Sequence, residues 1–188
     1  MINIWKYNLR LLWTIFWLIS CFCLTWCWSS DTWNENLSLN IHWFDLKYDG
    51  KVNLERVQLK TDDLEEIIDL YQEIWNNSEY KDSLLIAEKY AQWLWANAFA
   101  QDNLDTLENQ WLALSNIKKT QIWLEKYGER INAVLVEYEI TEWLIEKIPL
   151  LYVSDLFVPN GENMILMSFI TEDLSSRSSV SNMFKNIR

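Results

Sequence analysis

Apolar and polar residues alternate along most of the second half of the chain. Between Arg130 and Ile140, Val134, Val136, Tyr138 and Ile140 fall on one side of an extended run. Ile117 to Glu125 precedes it across Tyr127-Gly128-Glu129, and Leu150 to Val158 faces Met164 to Thr171 across Pro159-Asn160-Gly161-Glu162. Period-two patterning broken by such turn residues predicts two antiparallel hairpins. Nearer the N-terminus, Asn40 to Leu59 holds two more extended runs around Tyr48-Asp49-Gly50-Lys51, with Phe44, Leu46 and Tyr48 on one side. Asp-Gly between alternating runs predicts a third hairpin.

Elsewhere the period changes. Leu64, Ile67, Ile68, Tyr71 and Ile74 recur at helical spacing, with Asp62 and Glu65 placed as a capping box. The spacing predicts a helix over Asp62 to Ile74, with Asp63, Glu65, Glu66, Asp69 and Glu73 facing water. A second helix is predicted over Asn97 to Gln110, with Phe99, Leu104 and Leu107 inward, and a third from about Ser175, where Val180, Met183, Phe184 and Ile187 share a face. Asp82 to Ala91 fits either period, and Leu84-Leu85-Ile86-Ala87 favours a strand.

The order is therefore hairpin, helix, strand, helix, two hairpins, helix. It predicts an α+β fold, an antiparallel sheet of hairpins packed with about three helices, preceded by an N-terminal apolar helix. With its Phe44-Asp45-Leu46-Lys47-Tyr48 opening and its closing helix, the pattern over residues 38–188 resembles the PsbP-type domain of photosystem extrinsic proteins and related bacterial lipoproteins. The resemblance implies a binding or assembly role and carries no functional residue across.

The first 27 residues read as an export segment. Met1 to Arg10 is basic through Lys6 and Arg10, and Leu11 to Leu24 is apolar, which are the first two parts of a signal peptide. Leu24-Thr25-Trp26-Cys27 follows. With a small residue at position 26 this stretch would resemble the lipobox of bacterial lipoproteins, a resemblance that implies Cys27 is lipidated and becomes the new N-terminus. The alternative is an uncleaved anchor, since Leu11 to Trp28 is uncharged and close to the shortest bilayer-spanning length. Both put the rest of the chain outside the cytoplasm. The expected organisation is a signal or anchor over 1–27, a polar tether over 28–37, and one domain over 38–188.

Composition adds an anomaly at position 26 and beyond. The chain holds 13 Trp and 3 Gly, where usual glycine usage of about 7% would give about 13. Trp28 and Trp33 lie in a polar stretch, Trp75 precedes Asn76-Asn77-Ser78, Trp93 and Trp95 flank one Leu, and Trp111 follows a helical pattern where Gly is usual. Some bacterial lineages read UGA as glycine and others as tryptophan. A gene of the first kind, translated with the second table, would give this pattern, and would restore Leu-Thr-Gly-Cys at 24–27.

Charge narrows the partners. The first 26 residues hold two of the 16 Lys+Arg and none of the 27 Asp+Glu. The exported part is therefore strongly acidic and repels phosphate backbones, so no nucleic-acid partner is expected. All three cysteines, Cys21, Cys23 and Cys27, lie in or beside the apolar segment, which excludes a disulfide scaffold or a Cys-ligated zinc site in the body.

Candidate chemistry is sparse. A histidine triad would need His42, the one histidine, with a serine such as Ser38 or Ser168 and an acid. No Gly-x-Ser-x-Gly elbow occurs. Glu137 and Glu139 share a strand face opposite Val136 and Tyr138, where solvated carboxylates are expected rather than a glycosidase pair. No calcium loop is present, and Gly-Leu-Gly-Ala-Asn, obtained at 93–97 by reading Trp as Gly, lacks the following residues of a phosphate loop. Phe44, Tyr138, Tyr152, Phe157 and Phe169 belong to strand patterns and read as core, although a concave sheet face could form a ligand groove. The expectation is thus no catalytic, metal or cofactor site and one lipidation site, Cys27. The reading is a membrane-anchored, extracytoplasmic, non-enzymatic protein that binds a protein partner or a small ligand. An exported hydrolase and a structural surface protein held by an uncleaved helix are the alternatives.

Overall fold

Seven strands form one antiparallel sheet. The computed structural model describes residues 38–41, 44–47, 52–57, 67–74, 80–91, 94–126, 129–143 and 146–187. In chain order the elements are β1 (Ser38–Ile41), β2 (Phe44–Lys47), β3 (Leu54–Arg56), β4 (Ile67–Ile74), β5 (Tyr80–Ala91), α1 (Ala96–Asn109), β6 (Leu112–Lys126), β7 (Glu129–Trp143), β8 (Glu146–Asn160), β9 (Asn163–Thr171) and α2 (Leu174–Lys185). β1 and β2 form a separate hairpin, and the large sheet runs β3-β4-β5-β9-β8-β7-β6. Residues Glu35–Arg188 make one compact unit.

The connectivity explains the position of α1. β6 to β9 form a meander, and β9 lies between β8 and β5. The chain leaving β5 at the middle of the sheet must therefore cross to the far edge before β6 begins. α1 makes that crossing and packs on β6, β7 and β8, its Phe99 ring 5.6 Å from Phe157. α2 covers the opposite face, against β8 and β9, with Val180, Met183 and Phe184 buried, and Ile187 just beyond its end is buried as well. The β1-β2 hairpin adds Ile41, Phe44 and Leu46 to the same core. β9 is buried on both faces from Met164 to Phe169, hence its nearly unbroken apolar run in place of alternation.

The expected α+β fold with about three helices is corrected to a predominantly antiparallel sheet with two helices among the described residues. The difference lies at Ile67–Ile74, where the helical spacing belongs to strand β4. Tyr71 joins the α2-side core, while its neighbour Leu70 is equally buried on the other face. Apolar residues needed on both faces of one strand reproduce helical spacing by accident. Two of the acids expected to face water, Asp69 and Glu73, are buried: Asp69 pairs with Arg56 and Glu73 accepts from Ser176 Oγ at 2.9 Å. A second correction concerns the Asp49-Gly50 hairpin. β2 pairs with β1, and β3, on the other side of that turn, pairs with β4. Residues 62–66, the turn at 48–51 and the apolar segment of 11–28 lie outside the described residues.

The other elements follow the pattern. Glu125 pairs with Arg130 and Asn160 with Asn163 in the two late hairpins. Asp82–Ala91 is a strand, as Leu84–Ala87 suggested, and α1 and α2 begin within a residue of their expected starts.

Candidate functional site

Three adjacent strands place polar side chains on the sheet face that also carries α1. Tyr138 of β7, Asp155 of β8 and Ser168 of β9 all occupy positions of that face, Asp155 directly opposite Ser168 and beside Phe157's row. All three are buried. Tyr138 Oη donates to Asp155 Oδ2 at 2.9 Å, and the Ser168 hydroxyl bonds the same carboxyl. Asp155 Oδ1 is buried with no hydrogen-bond partner.

Burial decides the charge state here. Removing a carboxylate from water disfavours its ionised form, and two hydroxyl partners offset only part of the cost. Asp155 is pushed up from 3.8 to about 6, with burial the main cause and the bonds from Ser168 and Tyr138 opposing it. Burial also raises the Tyr138 hydroxyl well above its ordinary value, reinforced by the neighbouring Asp155 charge. The cluster can thus hold a proton on a carboxyl in mildly acidic conditions.

The other face distributes its polar groups along α2. Ser154 and Ser181 hydroxyls meet at 2.7 Å, Ser83 meets Thr171 at 2.7 Å, and Arg177 stacks 4.9 Å above the Tyr152 ring. Asp173 caps α2 by accepting from Ser175 N–H at 2.8 Å. The Ser154–Ser181 and Arg177–Tyr152 contacts fix α2 to the sheet, while Ser83 and Thr171 tie β5 to β9.

The residues singled out in the sequence separate as follows. Cys27, Ser38's side chain and His42 lie outside the described residues. Ser168 contacts Asp155 directly. Glu137 and Glu139 do share a face, but it is the α2 face, where Lys118 and Lys185 approach Glu137 at 3.8 and 3.9 Å and Asn116 donates to Glu139 at 2.6 Å. Phe44, Phe157, Phe169 and Tyr138 are core, and Tyr152 is half-buried beneath Arg177. Asp155 was missed, and its signal was an acid at an inward position of the Val153-Ser154-Asp155-Leu156-Phe157 run. No group of three His, Cys, Asp or Glu among the described residues is placed to hold a metal ion. None of the described helices is long and apolar enough to cross a membrane.

Among solved structures, the solution structure of cyanobacterial PsbP (CyanoP) from Synechocystis matches over 88% of this chain and 98% of its own, at 10% identity and a TM-score of 0.54. The fold is PsbP-like. A Pseudomonas aeruginosa protein of unknown function, PA94, matches over 81% of this chain and 96% of its own at 12% identity, but its TM-score of 0.42 is too low to carry an argument. No protein-family model matches the sequence, and no curated protein matches it. The PsbP-like body suggested by the element order from residue 38 onward is therefore supported at the level of fold.

Proposed function

We propose that this chain is a lipid-anchored, extracytoplasmic protein whose PsbP-like domain binds or assembles other envelope components and catalyses no reaction. The observation that carries the reading is the PsbP-like fold, which spans nearly the whole of the matched PsbP chain. The basic-then-apolar start, ending at Cys27, supports export and anchoring. The acidic body keeps such a domain off anionic lipid headgroups, so the anchor alone holds it at the membrane. Its partner is then a protein or a small ligand, not nucleic acid.

Metabolic labelling with palmitate, followed by membrane fractionation, tests the anchor. The wild-type chain is expected to be labelled and membrane-bound, and Cys27→Ser to be unlabelled. An unlabelled wild type retained in the membrane would replace the lipid with an uncleaved helix. For the binding role, deletion should alter the composition of envelope complexes. Unaltered complexes together with no crosslinked partner would remove the reading.

A further inference from the structure

The two ends of α1 make conformational demands that the residues found there do not meet. At the C-terminal end Gln110 closes the helix and Trp111 turns into the left-handed region, with φ 65°. Its N–H donates to the Glu108 carbonyl at 3.0 Å. Leu107 and Leu112, which flank the turn, are both buried. This matches a Schellman-type ending, where the residue after the cap is left-handed and apolar neighbours lie on either side of it.

A side chain at that position crowds its Cβ against the following carbonyl, and glycine alone escapes the cost. The described residues hold three left-handed positions: Gly161, Asn116 with φ 52°, and Trp111. Glycine and asparagine are the residues that tolerate this conformation, whereas a bulky aromatic one is an outlier. Nor does packing compensate, because Trp111 is 69% exposed.

The N-terminal end points the same way. Trp95 occupies the N-cap with extended backbone, makes no side-chain capping bond and is 85% exposed. A cap needs an acceptor for the free N–H groups, and an indole only donates. Glycine is among the residues accepted there.

We infer that positions 95 and 111 are glycine in the protein made by the cell that carries this gene, the codon at each being a UGA read as glycine. The inference stands apart from the anchor at Cys27, since it rests on the backbone of α1. It also has a functional consequence. With glycine at both positions the ends of α1 present no exposed indoles, so indoles there do not anchor a partner of the PsbP-like domain.

The decisive experiment is peptide sequencing by mass spectrometry on the protein purified from its own cell. Trypsin releases Tyr90–Lys118, which spans both positions. Glycine at 95 and 111 is expected, and tryptophan at either overturns the inference for that position. An independent arm compares full chains made in a host that reads UGG as tryptophan. Trp111→Gly should raise the urea midpoint, and Trp111→Ala, which keeps the Cβ, should recover less. Equal midpoints for the glycine and tryptophan chains would show that α1 ends without strain and would overturn the conformational argument.

Discussion

The two faces of the sheet treat buried polar groups differently. On the α2 face, polar side chains pair across the seam between helix and strands: Ser181 with Ser154, Ser176 with Glu73, Arg177 over Tyr152. On the opposite face, Tyr138, Asp155 and Ser168 pair only with one another, across three strands. The first arrangement fixes where a helix sits. The second fixes strand register and leaves one carboxylate oxygen, Asp155 Oδ1, without a partner. Polar groups on the α2 face are therefore orienting devices, while the Asp155 cluster is the place where folding is linked to a proton.

The coarsest test asks whether both faces are needed as apolar cores. Phe157 and Phe184 are completely buried, one on each face. Truncation to alanine removes the transfer energy of a ring and leaves a cavity, about 3–5 kcal/mol. Phe157→Ala and Phe184→Ala should each lower the denaturation midpoint by that order. A small loss at one would mean that its face contributes little to the fold.

The next test separates the faces by pH. Asp155 has its folded-state value raised to about 6 from 3.8, so the folded chain binds this proton more tightly than the unfolded chain does. Its stabilising contribution is complete below about pH 4, is lost as pH rises through about 6, and stays lost above. A shift of about two units corresponds to roughly 3 kcal/mol. Asp155→Asn keeps an acceptor for Tyr138 and cannot ionise. The variant should gain stability relative to wild type as pH rises from about 4 to 7, measured by urea denaturation at each pH. A constant difference across that range would show that Asp155 titrates normally.

How far these contrasts could be read from the chain depends on which faces of each strand are covered. The β6–β9 meander was legible because Val134, Val136, Tyr138 and Ile140 alternate over a long run and turn residues bound it. β4 was not, because burial of both Leu70 and Tyr71 erased the alternation that marks a strand. Asp69 and Glu73 reinforced the error, since their partners Arg56 and Ser176 are distant in sequence. The same reason hid the Asp155 cluster: its members come from three strands, and only register brings them together. Trp111, by contrast, stood out in sequence at the end of a helical pattern, and the backbone there is left-handed, with φ 65°.

On the α2 face the serine pair offers a test of smaller size. Ser154→Ala and Ser181→Ala each strand one buried hydroxyl, at a cost of about 1–3 kcal/mol. The double variant removes both partners and should lose less than the sum of the two. A double-mutant cycle from denaturation midpoints reads the coupling directly. Additive losses would mean that the 2.7 Å contact contributes nothing and that α2 is positioned by its other contacts, among them Val180, Met183 and Phe184.

The smallest expected effect lies at the rim of the same seam. Arg177 places its guanidinium 4.9 Å above the Tyr152 ring while its Nε has no hydrogen-bond partner. A planar cation over an aromatic face at a half-buried site is worth about 0.5–1 kcal/mol. Lysine keeps the charge but loses the planar stack. Arg177→Lys should therefore cost less than about 1 kcal/mol, most of it absent when Tyr152 is already leucine. The unsatisfied Nε works against this gain, because desolvating a donor without a partner has its own penalty. Should Arg177→Lys prove neutral or stabilising, that penalty outweighs the stack. The α2 face would then resemble the Asp155 face after all, with a buried polar atom, Arg177 Nε, that folding leaves unpaired.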